Sequence, residues 1–159
     1  GHCQTGPANA SRSRRAISDA DMVIGAVLVP GAKAPTLVSN EQVSRMKAGS
    51  VLVDISIDQG GCFEDSHPTT HADPTYPVHN SVFYCVANMP GAVPHTSTYA
   101  LTNVTLPYAV ELANLGWRDA LRVDRALALG LNTYDGAVTY GPVAEAHGMT
   151  SLTLDEVLR

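Results

Sequence analysis

The sequence is short of charge, of aromatic rings and above all of cysteine, and each shortage removes a class of protein. Only 16% of its 159 residues are charged, and Asp and Glu outnumber Lys and Arg by 15 to 10, for a formal net charge of −5. Surfaces for nucleic acid or anionic membrane are built from clustered Lys and Arg, so neither partner is expected. The one basic run, Arg12-Ser13-Arg14-Arg15, reads as a solvated terminus. Three cysteines (Cys3, Cys62, Cys85) are odd in number and form no CxxC pair, which excludes a zinc ribbon and a disulfide framework and fits a reducing cytoplasm. No apolar stretch approaches the roughly 20 residues of a membrane-spanning helix. The opening GHCQTGPANASRSRR also lacks the apolar centre of a signal peptide.

Catalytic signatures are scarce as well. No Walker loop, Gly-x-Ser-x-Gly elbow or HExxH occurs. His67 and His71 in HPTTH have the i, i+4 spacing of helical metal ligands, but Pro68 and the following ADPTYP make this a solvated loop with no third ligand in sight, so no metal is expected. Cys62 and Cys85 lack an adjacent base and read as small core residues.

What remains is 45% hydrophobic, ample for an ordinary core, and it is arranged in a pattern. DMVIGAVLV (21–29), GSVLVDISI (49–57) and SVFYCVA (81–87) are apolar runs rich in Val and Ile, the composition of strands buried on both faces. Between the first two lies SNEQVSRM (39–46), a short helix with a Ser/Asn cap, Glu41 in its first turn, and Val43 and Met46 on one face. Strand, helix, strand is the βαβ pattern of a parallel sheet covered by helices. Residues 1–18 have no hydrophobic period and read as an irregular lead-in. TYALTNVTLPYAVELANLG (98–116) is a long helix closing on Gly116, with Pro107 as a place to bend, and WRDALRVDRALALG (117–130) is a second. Asp135-Gly136 signals a hairpin, and two short helices end the chain, the last capped by Thr153.

In open parallel sheets the ligand crevice lies outside the carboxyl ends of the strands. Those ends carry Val27-Leu28-Val29, Ile57-Asp58-Gln59 and Asn88-Met89-Pro90. Asp58, followed by Gln59-Gly60-Gly61, can face the crevice where backbone approaches a ligand, and it can equally end a strand in an Asx turn. Asn88 and Met89 offer an amide and a soft apolar contact at the same edge, with a strand-ending turn as the plainer reading.

Taken together, ADMVIGAVLVPGAKAPTLVS, GSVLVDISIDQGGCFE and CVANMPGAVPHTSTYALTN resemble the bacterial alanine dehydrogenase family, which includes the NAD-binding part of proton-translocating transhydrogenase. The likeness covers roughly residues 19–150. It implies an α/β fold, a partial Rossmann-like parallel sheet that is the second half of a dinucleotide-binding domain (19–97), followed by helices returning to a substrate domain (98–159). It also implies NAD as cofactor, alanine and pyruvate as small-molecule substrates, and a homohexamer. By the same resemblance Asp58 corresponds to the catalytic aspartate beside the nicotinamide, Val27, Leu28 and Ile55 to positions near the cofactor ribose, and Asn88 with Met89 to the nicotinamide-side contact. The family's GxGxxG loop, its carboxylate-gripping Arg and Lys and its catalytic His do not occur in these residues, and 1–18 are unlike the family segment. The expectation is a truncated alanine dehydrogenase with little activity alone; the alternatives are a non-catalytic fragment that joins another polypeptide, or another NAD-linked dehydrogenase or transhydrogenase subunit.

Overall fold

A computed structural model describes residues 5–6 and 10–159, without the side chains of 10–13. His2 and Cys3 lie outside the described residues. The chain divides into two compact units, one formed by residues up to Leu28 with Lys33–Met89, the other by Val29–Ala32 with Pro90–Arg159. After Lys33, the chain passes from the first unit to the second at Met89/Pro90.

The first unit is an α/β sheet. It begins with α1 (Ala10–Asp19), where an irregular lead-in was expected. Ile17 explains the helix: it is buried in the core at 8% exposure, and one anchoring residue leaves no periodic trace in an otherwise polar stretch. Then follow β1 (Met22–Gly25), α2 (Asn40–Ser44), β2 (Val51–Asp54), a 3-10 turn (Ile55–Gln59), β3 (Thr75–Val78) and β4 (Ser81–Tyr84). The sheet order is β1-β2-β4-β3, with β1, β2 and β4 parallel and β3 antiparallel to β4. Helix α2 is held by a capping box in which Ser39 accepts from the Gln42 amide and the Gln42 side chain accepts from the Ser39 amide.

All three parallel strands stop before their apolar runs do, and β2 shows why. The Asp54 carboxylate accepts from the Ser56 amide at 3.0 Å and turns the chain, so Ile55-Ser56-Ile57 is a 3-10 turn and not strand. β3 was missed because Pro77 and its polar neighbours read as loop; it is an edge strand, where a missing N–H is tolerated.

One face of the sheet carries the core. Leu52 and Phe83 are fully buried there, and Phe83 meets Phe63 edge-on at 5.9 Å and Tyr76 at 5.4 Å. The other face does not match the expectation of helices on both sides. Met22 and Ile24 are 57% exposed, and they are in register with half-exposed Val51 and Val53 of β2.

In the second unit, α3 (Pro94–Val123) starts earlier than expected, runs through Pro107 and breaks at Gly116, whose φ of 73° and ψ of 161° are not helical. Every residue from 98 to 110 is exposed. The expected helix over 117–130 is interrupted at Asp124, which adopts extended backbone and caps α4 (Arg125–Ala128) by accepting from the Ala126 and Leu127 amides at 2.7 and 3.1 Å. The hairpin β5 (Thr133–Tyr134) and β6 (Ala137–Val138) turns through Asp135 and Gly136, both at positive φ. Helices α5 (Gly141–Ala146) and α6 (Leu154–Leu158) close the chain, the latter in a Thr153/Glu156 capping box. No helix among the described residues is long and apolar enough to cross a membrane.

Candidate active site

Asp54 is the buried centre of the β2 exit, and the sequence reading passed over it. It is 0% exposed, and its two oxygens take nearly every donor the loop can bring. Oδ1 accepts from the Ser56 amide, with the Cys62 thiol 3.4 Å away. Oδ2 accepts from the Cys62 amide at 2.8 Å, the Phe63 amide at 3.3 Å and the Ser66 hydroxyl at 2.5 Å. Charge-assisted bonds of this kind are about twice as strong as neutral ones, and they offset the cost of burying an anion.

The two glycines after the 3-10 turn let the chain wrap round this carboxylate. Gly60 and Gly61 lie at φ 90° and 76°, and a Cβ on Gly61 would sit 2.6 Å from Ser66 Cβ and 3.0 Å from Asp54 Oδ2. At the end of β1, a Cβ on Gly25 would come within 2.3 Å of Cys62 Sγ. The glycines therefore serve the Asp54 knot first.

This knot presents the residues singled out for ligand contact. The exits of β1, β2 and β4 are adjacent because the strands are parallel and in register up to Gly25, Asp54 and Tyr84. Past β1, Val27 packs against the core and its carbonyl accepts from the Ser56 hydroxyl at 2.8 Å, which ties the β1 exit to the β2 exit. Leu28 next to it is 67% exposed. Past β2, Ile55 is 52% exposed, and Asp58 is exposed on the 3-10 turn with no hydrogen bond or ion pair from its carboxylate among the described residues. The turn is pinned from below, since the Gln59 carbonyl accepts from the Ala34 amide at 2.9 Å. Past β4, Asn88 is exposed and Met89 half-buried. The edge thus combines apolar side chains left in water, one uncommitted carboxylate and backbone fixed on every side.

Other groups are quieter. Burial, reinforced by the Asp54 charge, pushes the Cys62 thiol up to about 11, and burial raises the Cys85 thiol too, so both stay protonated near neutrality. That agrees with their reading as core residues. Burial and the Cys85 contact likewise raise the Tyr76 phenol, whose hydroxyl donates to the Asp65 carbonyl at 3.0 Å. His67 stacks on Tyr76 at 3.7 Å, and no group of three His, Cys, Asp or Glu residues that could hold a metal exists among the described residues.

The fold is of the α/β class, with a mainly parallel sheet whose strand exits bring apolar side chains and one carboxylate to the edge where open α/β sheets bind their ligands. Within that class the assignment is specific. The family model "Alanine dehydrogenase/PNT, C-terminal domain" matches residues 1–141, and the chain belongs to this family. The match includes the stretch expected to be unlike the family. The chain is 59% identical over 145 residues to the alanine dehydrogenase of Mycolicibacterium smegmatis, covering 91% of this chain and 39% of that protein. The alanine dehydrogenase of Staphylococcus haemolyticus is 54% identical over 160 residues, covering 100% of this chain and 43% of that protein. A solved L-alanine dehydrogenase superposes with a TM-score of 0.74 at 50% identity, over 89% of this chain and 39% of that one. A transhydrogenase from Sinorhizobium meliloti gives a TM-score of 0.52 at 28% identity, over 58% of this chain and 26% of that one. The chain spans about two-fifths of the length of these alanine dehydrogenases.

Proposed function

We propose that this segment is the carboxyl-terminal part of an NAD-dependent alanine dehydrogenase, a cytoplasmic homo-oligomer that converts L-alanine, NAD and water to pyruvate, ammonium and NADH. The observation that carries the reading is the edge formed by the exits of β1, β2 and β4. Leu28 and Ile55 are large apolar side chains held in water by a rigid backbone, which suits the flat faces of a nicotinamide and its ribose better than solvent. Beside them the Gln59 Oε1 atom is buried with no hydrogen-bond partner among the described residues, an acceptor left over at the same turn. Val27, Leu28, Ile55, Asn88 and Met89 would hold NAD, with Asp58 beside its nicotinamide, and bound NAD would supply the acceptor for a hydride from the α-carbon of alanine. The greater likeness in sequence and superposition to alanine dehydrogenases than to the transhydrogenase supports this chemistry over proton-coupled hydride exchange between nucleotides.

The chain's own contribution is then clear from its parts. The aliphatic exits exclude water from the reacting face and fix the orientation on which hydride transfer depends. Asp58, exposed and uncommitted, exchanges protons with the substrate nitrogen and with the water that replaces it. Asp54 holds the turn that carries Asp58 and never meets the substrate itself.

The test uses a chimera in which residues 19–150 replace the matching segment of the Mycolicibacterium smegmatis enzyme. The chimera is expected to reduce NAD with L-alanine. Asp58→Asn should lower kcat by roughly 10²- to 10⁴-fold, the usual worth of a proton-transfer group, while NAD affinity stays within about threefold. A kcat that survives Asp58→Asn within tenfold removes Asp58 from the reaction.

A further inference from the structure

We propose that His71 is a positioning residue for the β4 exit: its imidazole holds the Asn88 carbonyl, so that Asn88 and Met89 meet the cofactor in one fixed backbone conformation. The proposal rests on the reading of that exit as part of the NAD site. His71 lies in the HPTTH segment, which reads in the sequence as a solvated loop and which the function has so far left unused.

The segment is exposed but not loose. Beyond the end of β4, Thr69 continues the ladder in parallel with Val86: its amide donates to the Cys85 carbonyl at 2.9 Å, and its carbonyl accepts from the Ala87 amide at 3.2 Å. The loop is closed on itself by two hydroxyl bonds, Thr69 Oγ1 donating to the Pro74 carbonyl at 3.0 Å and Thr70 Oγ1 accepting from the Asp73 amide at 3.3 Å. Two residues further along, the backbone pairing has ended and the His71 side chain reaches across to Asn88 instead. Nε2 lies 2.5 Å from the Asn88 carbonyl oxygen. A carbonyl only accepts, so Nε2 carries the proton, in the neutral tautomer as in the imidazolium. His71 thereby ties the loop that pairs with Val86 to the residue where the proposed cofactor contact begins. Both residues are exposed, so stability owes this bond little. Its use is to settle the Asn88-Met89 peptide before a ligand arrives, which spares the ordering cost at binding.

Such a role appears in the affinity for NAD and leaves the chemical step alone. In the chimera described above, His71→Ala should raise KM for NAD about three- to tenfold with kcat unchanged within twofold, the loss of one modest hydrogen bond. His71→Gln, whose amide nitrogen reaches about as far as Nε2, should bring KM back to within twofold. The melting temperature should be the same for all three proteins, which separates positioning from folding. Unchanged KM in His71→Ala, or a Gln variant no better than Ala, overturns the proposal, and in either case an inactive Asp58→Asn leaves the alanine dehydrogenase reading standing. Should the chimera itself fail to reduce NAD with L-alanine, the reading beneath the proposal falls and the proposal with it.

Discussion

Replacing Asp54 by Asn alters one atom's worth of shape and removes a charge shared by five donors, three backbone amides, the Ser66 hydroxyl and the Cys62 thiol. The amide keeps one acceptor oxygen and must choose a side. If the oxygen takes the place of Oδ2, it retains the Cys62 and Phe63 amides and the Ser66 hydroxyl, and an NH₂ group then faces the Ser56 amide. The opposite choice is worse, because two backbone amides would face the NH₂ group. In the better orientation one buried N–H is orphaned, at about 1–3 kcal/mol, and three bonds lose their charge assistance, at up to about 1 kcal/mol each, partly offset because an anion no longer has to be buried. The net expectation is a loss of about 2–4 kcal/mol, a large share of the roughly 5–15 kcal/mol a domain has. Urea unfolding of the 159-residue chain followed by circular dichroism reads this as a lower midpoint at similar slope. Amide hydrogen exchange gives the local counterpart, with protection at Ser56 falling more than at Cys62. A midpoint unchanged to within about 0.5 kcal/mol would refute the reasoning, since the carboxylate could not then be the centre of the turn.

Further outcomes follow from the same region. Gly61→Ala places a methyl 2.6 Å from Ser66 Cβ at a φ of +76°, and it should cost at least about 2 kcal/mol by urea unfolding; a neutral result would mean that the turn can move aside cheaply. Alkaline pH should unfold the first unit early. The folded Cys62 thiol keeps its proton up to about 11, against an ordinary value of 9.0, so the unfolded chain binds fewer protons between these values and stability falls as pH rises through that window. About two units correspond to a loss on the order of 2–3 kcal/mol, with Cys85 and Tyr76 acting in the same direction, and Cys62→Ala should flatten the pH dependence of the urea midpoint between pH 9 and 11. In contrast with Asp54, Asp58→Asn should leave the midpoint unchanged within about 0.5 kcal/mol, because its side chain is exposed and unbonded.

The parallel strands were legible because fully apolar runs have few other uses, and the caps at Ser39 and Thr153 because side-chain oxygens in front of amphipathic turns have a local effect. Strand ends were not legible from hydropathy. Ile55 and Ile57 are as apolar as what precedes them, and only the side-chain bond from Asp54 to the Ser56 amide turns them out of the sheet. An Asp two residues ahead of a Ser was a readable hint, since Asx turns bond at that distance. The positions of Val27, Asp58 and Asn88 at neighbouring strand exits followed from the βαβ pattern alone, whereas Asp54 was hidden inside an apolar run and His71 inside a proline-rich loop. Both act through long-range bonds, to Cys62 and Asn88, that no local pattern encodes. Helix α1 escaped for the converse reason: among its described side chains only Ile17 is buried, and it anchors the helix.

The half-covered sheet has a thermodynamic consequence of its own. Heat capacity on unfolding tracks the apolar area that folding hides, about 12–15 cal/mol/K per residue for ordinary domains. Met22, Ile24 and the whole outward run of α3 are in water already, so melting this chain exposes less than its length suggests. Its stability curve is therefore shallow, changing little between cold and warm buffer, and it would steepen once another surface came to lie on the open face.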